Sequence, residues 1–467
     1  TIMNETQKIN LEWLTRRTGD PFVDIGGIVL KILIRKKGAN DVARLIEDTA
    51  KIYVTDWKAK LNAFFLNSTI TQPAFKGDRK ITETKKFFKA LIEDNLPFEE
   101  GYCRILGERT KLFTGGRDNY ILSGSGTFIN FHHAFQRGLM LSKEALIRMF
   151  FVPLGCIQLS DKIALLYSNN EELIEYFIAE NVQENSRRIA TKIADGISRS
   201  EFKNPSSALF DFALRWIREA NRSEVKNTEL TLYHFTNFGA SPEIVLHSFS
   251  AALFTFFSRV QHRTMKPEWD KFSHSYFHQK NADYQYETDS FKVTEKKEVS
   301  IHSYENFKGW RNMIYESLLE GRSILKPMLK WVSKKQHPLN LEIVKFYQII
   351  LQDMNEKTLQ IIERLANYVL EDSSNIKKSL RNLQKPTKAY AFRHALRRLE
   401  ERNLIEKNPE PLFSLEEYAL ELFPDGTYWQ EIQDLLLIAI YQKMHEQKIW
   451  LDNEDLPLEE TEEDTIN

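Results

Sequence analysis

Gly115-Gly116-Arg117-Asp118-Asn119-Tyr120-Ile121-Leu122-Ser123-Gly124-Ser125-Gly126-Thr127-Phe128-Ile129-Asn130-Phe131-His132-His133 concentrates four of the protein's 18 glycines within twelve residues. Glycine admits positive φ and close backbone approach, so such a cluster shapes a loop. Asn, Ser, His and Arg within it supply hydrogen-bonding groups, and Tyr120, Phe128 and Phe131 supply flat apolar faces. Two readings stand side by side: short strands joined by tight turns, or a shaped loop that meets a polar ligand such as nucleic acid. On either reading the N-terminal part of the chain mixes strands with helices.

The flanking sequence extends this mixed pattern. Thr18-Gly19-Asp20-Pro21 is a turn signature, because Pro21 fixes its own φ and restricts Asp20. Gly26-Gly27 favours close packing, and Ile28–Ile34 fits either a buried strand or a short core helix. Asp41 predicts the N-cap of a helix over 42–66, and 85–91 also has helical periodicity. Leu139–Leu154 has a helical period ending at Pro153. Lys162–Ser168 reads as a strand, followed by a turn at Asn169-Asn170, a helix from Glu171 to Asn185 and another over 206–220. Leu230–Phe235 alternates with period two and predicts a strand. Ser241-Pro242-Glu243 predicts the start of an apolar helix, and 266–300 reads as a long irregular region.

From residue 303 the pattern becomes helical, over about 310–334, 340–371, 375–383, 388–404 and 428–450. The expected fold class is therefore α+β. A mixed domain spans 1–302, an all-α helical bundle 303–450, and an acidic disordered tail 451–467.

The 467 residues suffice for two or three cores. A run of about 18 apolar residues is absent, which argues against a membrane span. The first ten residues lack the basic and apolar regions of a signal peptide. Two cysteines provide no disulfide framework, so a cytoplasmic location is expected. The net charge of −1 hides an asymmetry, since eight acidic residues follow Trp450 without a Lys or Arg; removing them leaves a body of about +7. Such a body tolerates a polyanionic partner.

Lys377, Lys378, Arg381, Lys385, Lys388, Arg393, Arg397, Arg398 and Arg402 face only Glu400 and Glu401 over the same span. On a helix from 388 to 403, Phe392, Leu396 and Leu399 share one side and the arginines occupy the rest. A charge run is either a solvated face or a phosphate-binding surface, and the excess of one sign favours phosphate.

Catalytic templates are missing. The chain has no phosphate-binding Gly-x-x-x-x-Gly-Lys, no Gly-x-Gly-x-x-Gly between strand and helix, and no His-Glu-x-x-His. Leu122-Ser123-Gly124-Ser125-Gly126 lacks the first glycine of a nucleophile elbow. His132 and His133 are adjacent and on a strand would face opposite ways. Cys103 and Cys156 lack the second members of zinc-binding pairs. No catalytic residue, cofactor or metal is expected. The alternative is an enzyme, a metal-dependent nuclease or other hydrolase with an unfamiliar site.

Three segments, in order and spacing, resemble one family. They are Thr18-Gly19-Asp20-Pro21-Phe22-Val23-Asp24, the block from Arg117 through Ser123-Gly124-Ser125-Gly126 and Asn130-Phe131-His132 to Gly138-Leu139, and Leu230–Asn237. The family is the large subunit of type I-B CRISPR Cascade effectors. Many of its members carry two Cys-x-x-Cys pairs. Here the corresponding places read Cys103-Arg104-Ile105-Leu106 and Ser142-Lys143-Glu144-Ala145, so the resemblance implies a lost zinc knuckle. It also implies a non-catalytic subunit that reads a protospacer-adjacent motif on duplex DNA and supports the displaced strand of the R-loop. Its partners would be a CRISPR RNA, the target duplex and displaced single strand, the Cascade backbone and cap subunits, a small subunit, and helicase–nuclease or transposition factors. The residues expected to contact the motif are Arg117, Asn119, Ser123, Ser125, Asn130, His132 and Asn237. The nine basic residues from Lys377 to Arg402 are expected on the displaced strand.

Overall fold

The computed structural model describes residues 8–37, 41–124, 138–219, 227–236, 242–296, 298–371, 375–424 and 428–450. The protein is α+β and divides into two compact units. The first comprises Thr1–Glu219 and Thr228–Phe249, the second Ala220–Asn227 and Ser250–Asn467.

In the first unit, Asp20 accepts a hydrogen bond from the Val23 amide at 2.8 Å and so starts α1 (Pro21–Lys37), with Pro21 in its first turn. The apolar run 28–34 is thus helical. Asp41 caps α2 (Val42–Lys51) by accepting from the Arg44 amide, and the chain continues as a π-helical turn over Ile52–Asp56. The helix ends ten residues before the expected Leu66, because Lys58 and Ala59 adopt left-handed φ of 52° and 57°. Next come α3 (Asp78–Ile92), β1 (Glu99–Tyr102), β2 (Arg109–Gly115) and β3 (Leu139–Leu141), with the three strands forming one antiparallel sheet.

Helix α4 (Lys143–Gly155) is buried on nearly every side. The helical period expected from Leu139 therefore begins at Lys143. Pro153 sits inside the last turn of α4, and residues 139–141 pair with β2 instead. Then follow β4 (Ile157–Leu159), β5 (Lys162–Ser168), α5 (Glu171–Ala190), α6 (Pro205–Glu219), β6 (Leu230–Thr236) and β7 (Glu243–Phe249). The four strands form an antiparallel sheet in the order β4-β5-β6-β7. The expected helix at Ser241-Pro242-Glu243 is corrected. Residues 243–249 pair with β6 along its whole length, from Thr236↔Glu243 to Leu230↔Phe249. β-Branched Ile244 and Val245 suit that strand.

Close packing of α1 on α4 depends on glycine. A Cβ at Gly26 would lie 2.0 Å from the Arg148 carbonyl oxygen, and one at Gly27 would lie 2.8 Å from its guanidinium. Gly26→Ala must push two buried helices apart, so we expect a loss of about 3 kcal/mol. Native-state hydrogen exchange of the α4 amides reads this as roughly a hundredfold loss of protection.

The main segment of the second unit, from Ser250, starts with α7 (Ala251–Val260), capped by the Ser250 hydroxyl, which accepts from the Leu253 amide at 3.2 Å. This start lies some fifty residues before the boundary expected at 303. The cause is aromatic packing: Phe256 of α7 meets Trp269 at 5.4 Å and Tyr347 at 6.0 Å between ring centroids. The region expected to be irregular is ordered as α8 (Lys266–His274), β8 (Phe277–His278), β9 (Ala282–Gln285), β10 (Ser290–Glu295) and β11 (Glu298–His302). Left-handed residues at Asn281, Asp289 and Lys296 make its turns without glycine, and Phe291 anchors the sheet against Phe307 and Trp310.

Beyond it lie α9 (Tyr304–Phe307), β12 (Arg311–Asn312), α10 (Met313–Leu319), α11 (Leu325–Ser333) and α12 (Leu341–Phe346). A π-helical turn over Tyr347–Leu351 leads to α13 (Glu356–Glu371), α14 (Ile376–Gln384) and α15 (Ala389–Ile405). A second π-helical turn over Glu417–Leu422 precedes α16 (Trp429–Glu446). Two of the long helical patterns are therefore broken, near Gly321 (φ 68°) and Asp353 (φ 54°). Helix α16 is buried along most of its length, and α11 and α13–α15 pack around it.

Candidate nucleic-acid interface

The segments that carry the resemblance meet inside the first unit. The Asp24 Oδ1 atom accepts from the Thr18 amide (2.8 Å), the Thr18 hydroxyl (2.7 Å) and Arg148 Nη2 (2.9 Å). Its Oδ2 accepts from the Gly19 amide (3.0 Å) and the Tyr167 hydroxyl (2.9 Å). Gly19 reaches this carboxylate with φ 88°, a conformation that favours glycine. Arg148 also donates through Nε to the Val23 carbonyl and through Nη1 to the carbonyls of Trp13 and Arg16. The side chains of Arg148 and Asp24 are only 1% and 4% exposed, so both charges are desolvated and paired. Burial pulls the Arg148 guanidinium below its ordinary value, against the raising effect of Asp24. Burial likewise pushes the Tyr167 phenol up to about 12.

Asp20 ties this cluster to the glycine-rich stretch by accepting from the Tyr120 hydroxyl at 2.9 Å. Burial, with Asp20 beside it, holds that phenol well above the usual range. The turn around Tyr120 uses its own polar residues. Asn119 Oδ1 accepts from the Gly116 amide (2.8 Å) and its Nδ2 donates to the Thr114 carbonyl (3.3 Å). The Ser123 hydroxyl donates to the Tyr120 carbonyl (2.8 Å), and the Arg117 amide to the Gly124 carbonyl (2.9 Å). Arg117, Asn119 and Ser123 therefore share one turn, in which Asn119 and Ser123 close the backbone. Ser125, Asn130, His132 and Asn237 lie outside the described residues, as does the acidic tail.

The two places where the resemblance puts cysteine pairs also meet. Cys103 Sγ accepts from the amides of Leu106 (3.5 Å) and Ser142 (3.3 Å). This is one sulfur where zinc requires four donors, so the residues present do not fit the metal. Both cysteines are free and buried. Among the described residues no group of three or more His, Cys, Asp or Glu side chains is placed to hold a metal ion. No described helix is long and apolar enough to cross a membrane.

In the second unit, α14 and α15 form a hairpin joined by Lys385-Pro386-Thr387-Lys388. Gln433 of α16 pins the connection by donating to the carbonyls of Leu383 (2.6 Å) and Pro386 (3.2 Å). Phe392, Leu396 and Leu399 are buried on one side of α15, as expected. The nine basic residues separate into two groups. Lys377, Lys378, Arg381, Lys385, Lys388, Arg397 and Arg398 are exposed. Arg393 and Arg402, also expected on the displaced strand, are half-buried and pack on aromatic rings. The Arg393 guanidinium lies 4.7 Å from the Phe423 ring, and Arg402 donates to Tyr368 at 3.0 Å and stacks on its ring.

Of the exposed group, Arg397 pairs with Glu401 at 3.3 Å. Among the described residues no ion pair engages Lys378, Lys385, Lys388 or Arg398. Four unneutralised cations on a short rigid hairpin can bind phosphate groups.

Two functional candidates escaped the sequence reading. Arg148 stands alone within the apolar run Leu146–Val152, and a lone charge in such a run is the signal of a buried ion pair. Tyr390 is 73% exposed on the polar side of α15.

Residues 331–467 match the family described as the DevT C-terminal domain. No curated protein matches the chain.

Proposed function

We propose that the chain is the large subunit of a CRISPR RNA-guided DNA-targeting complex of the Cascade type. The observation that carries this reading is the place of the basic hairpin. Four unpaired cations on α14–α15 lie inside the segment that matches the DevT C-terminal domain, a domain of a Cascade-associated protein. Charge and family likeness are independent of each other, and both point to this part of the chain.

In this reading the hairpin holds the displaced strand of the R-loop through its phosphates, a sequence-tolerant contact. Base pairing with the CRISPR RNA supplies most of the sequence specificity. The first unit is assigned the protospacer-adjacent motif, through Arg117 and the residues that follow Gly124. Asn119 and Ser123 serve mainly to shape that turn, because their polar groups are already engaged. The buried Asp24–Arg148 cluster holds the turn in place through Asp20 and Tyr120. The type I-B affiliation rests on the motif resemblance. So do the backbone, cap and small-subunit partners and the recruited helicase–nuclease or transposition factors.

The test against an enzyme is direct. Labelled duplex and single-stranded DNA are incubated with the purified chain and Mg²⁺ or Mn²⁺. Binding without cleavage is expected. Metal-dependent cleavage that copurifies with the chain overturns the non-catalytic reading in favour of a nuclease.

A further inference from the structure

We infer that the α14–α15 hairpin is a single-strand-specific site in which one nucleobase stacks on Tyr390. The inference rests on the phosphate-binding reading of the hairpin and adds the kind of nucleic acid it takes.

Tyr390 lies in the first turn of α15 and is 73% exposed. A tyrosine is ordinarily kept in a helix by burying its ring. Here the buried side of α15 is already supplied by Phe392, Ala395, Leu396, Leu399 and Asn403. Among the described residues the Tyr390 ring has no aromatic or cationic partner.

Its position relative to the charges is set by helix geometry. Residues 390, 394, 397 and 401 fall on one face at i, i+4, i+7 and i+11, so Tyr390 shares its face with His394 and with Arg397, which is paired with Glu401. Arg397 lies about 10 Å further along the axis, at a rise of 1.5 Å per residue. Lys388 precedes Tyr390 by two residues, and Lys385 ends the neighbouring helix. A flat, rigid ring among cations is what a sequence-tolerant single-strand site requires, because stacking accepts any base while cations follow the backbone. Duplex DNA hides its base faces in its own stack and presents only phosphates to such a surface.

The hairpin is also rigid enough to hold the ring. Gln433 fixes its turn, and Arg393 and Arg402 anchor α15 against Phe423 and Tyr368. Little ordering is then required of the protein on binding.

The test uses the full chain and fluorescein-labelled oligothymidine beside a duplex of the same length, titrated at several salt concentrations. Tyr390→Ala is expected to weaken single-strand binding roughly tenfold or more, with the salt slope unchanged and duplex binding unaffected. Tyr390→Phe should retain wild-type affinity. Tyr390→Trp should retain it too, and binding of the single strand should quench the new indole. Equal loss on both DNA forms, no loss with Ala, an unquenched indole, or no single-strand binding by the wild type overturns the inference. Replacing Lys378, Lys385, Lys388 and Arg398 tests the underlying reading separately. If that change lowers affinity while Tyr390→Ala does not, the phosphate surface stands and only the stacking fails.

Discussion

Simultaneous replacement of Lys378, Lys385, Lys388 and Arg398 by alanine is expected to weaken nucleic-acid binding roughly a hundredfold near 0.15 M salt. The magnitude follows from counterion release. Each phosphate contact contributes about 0.7 to the slope of log K against log salt for single strands and about 0.9 for duplex DNA, so four contacts remove about 3 from the slope. The loss should be the same across sequences, since phosphates carry no sequence information. All four side chains are exposed, so folding should be unaffected. Arg393 and Arg402 provide the contrast. They are packed on Phe423 and Tyr368, and truncating them should cost about 1 kcal/mol of stability with little change in slope. A slope unchanged by the fourfold variant would remove the hairpin from the binding surface.

Arg148→Met should destabilise the first unit by about 3–5 kcal/mol. It leaves the Asp24 carboxylate buried without its cation and strands the carbonyls of Trp13, Arg16 and Val23 without their donor. Hydrogen-exchange protection in α1 and α4 should fall by two orders of magnitude or more, while α16 in the other unit keeps its protection. The pairing itself is read from a double-mutant cycle. Asp24→Leu combined with Arg148→Met should recover part of the loss, because two apolar side chains no longer leave one charge alone. Purely additive losses would mean that the two residues act separately.

The strands and helices most legible in the sequence were those in which local signals agreed. Lys162–Ser168 and Leu230–Phe235 alternate and carry β-formers, and both pair in the central sheet. Thr18–Pro21 reads as a turn, but the sequence leaves the helix that begins at Pro21 open, because the apolar run 28–34 suits a strand as well as a helix. Legibility failed where tertiary pairing decides. Residues 243–249 follow a proline that suits a helix start, yet they complete the edge of a sheet. The turns that link β8, β9, β10 and β11 escaped notice because Asn281, Asp289 and Lys296 adopt left-handed conformations in place of glycine.

The basic surface was visible as a run of charge, but not its division. Whether an arginine faces solvent or packs on a ring depends on Phe423 for Arg393 and on Tyr368 for Arg402, 30 and 34 residues away in the chain. The glycine-rich turn has a similar history. Its polar residues suggested a ligand, and Asn119 and Ser123 proved to satisfy backbone groups of the turn itself. Arg148 was hidden by its company, since seven of the eight residues in Ala145–Val152 are apolar and the eighth is the arginine.

The central claim is that the chain belongs to an RNA-guided complex. It is tested most directly by native purification of the protein from its own cells, followed by sequencing of any small RNA that comes with it. The account predicts a stoichiometric complex containing RNAs with a common repeat-derived end and variable guide sequences. Recovery of the chain alone, or with RNA that lacks that repeat organisation, would contradict it.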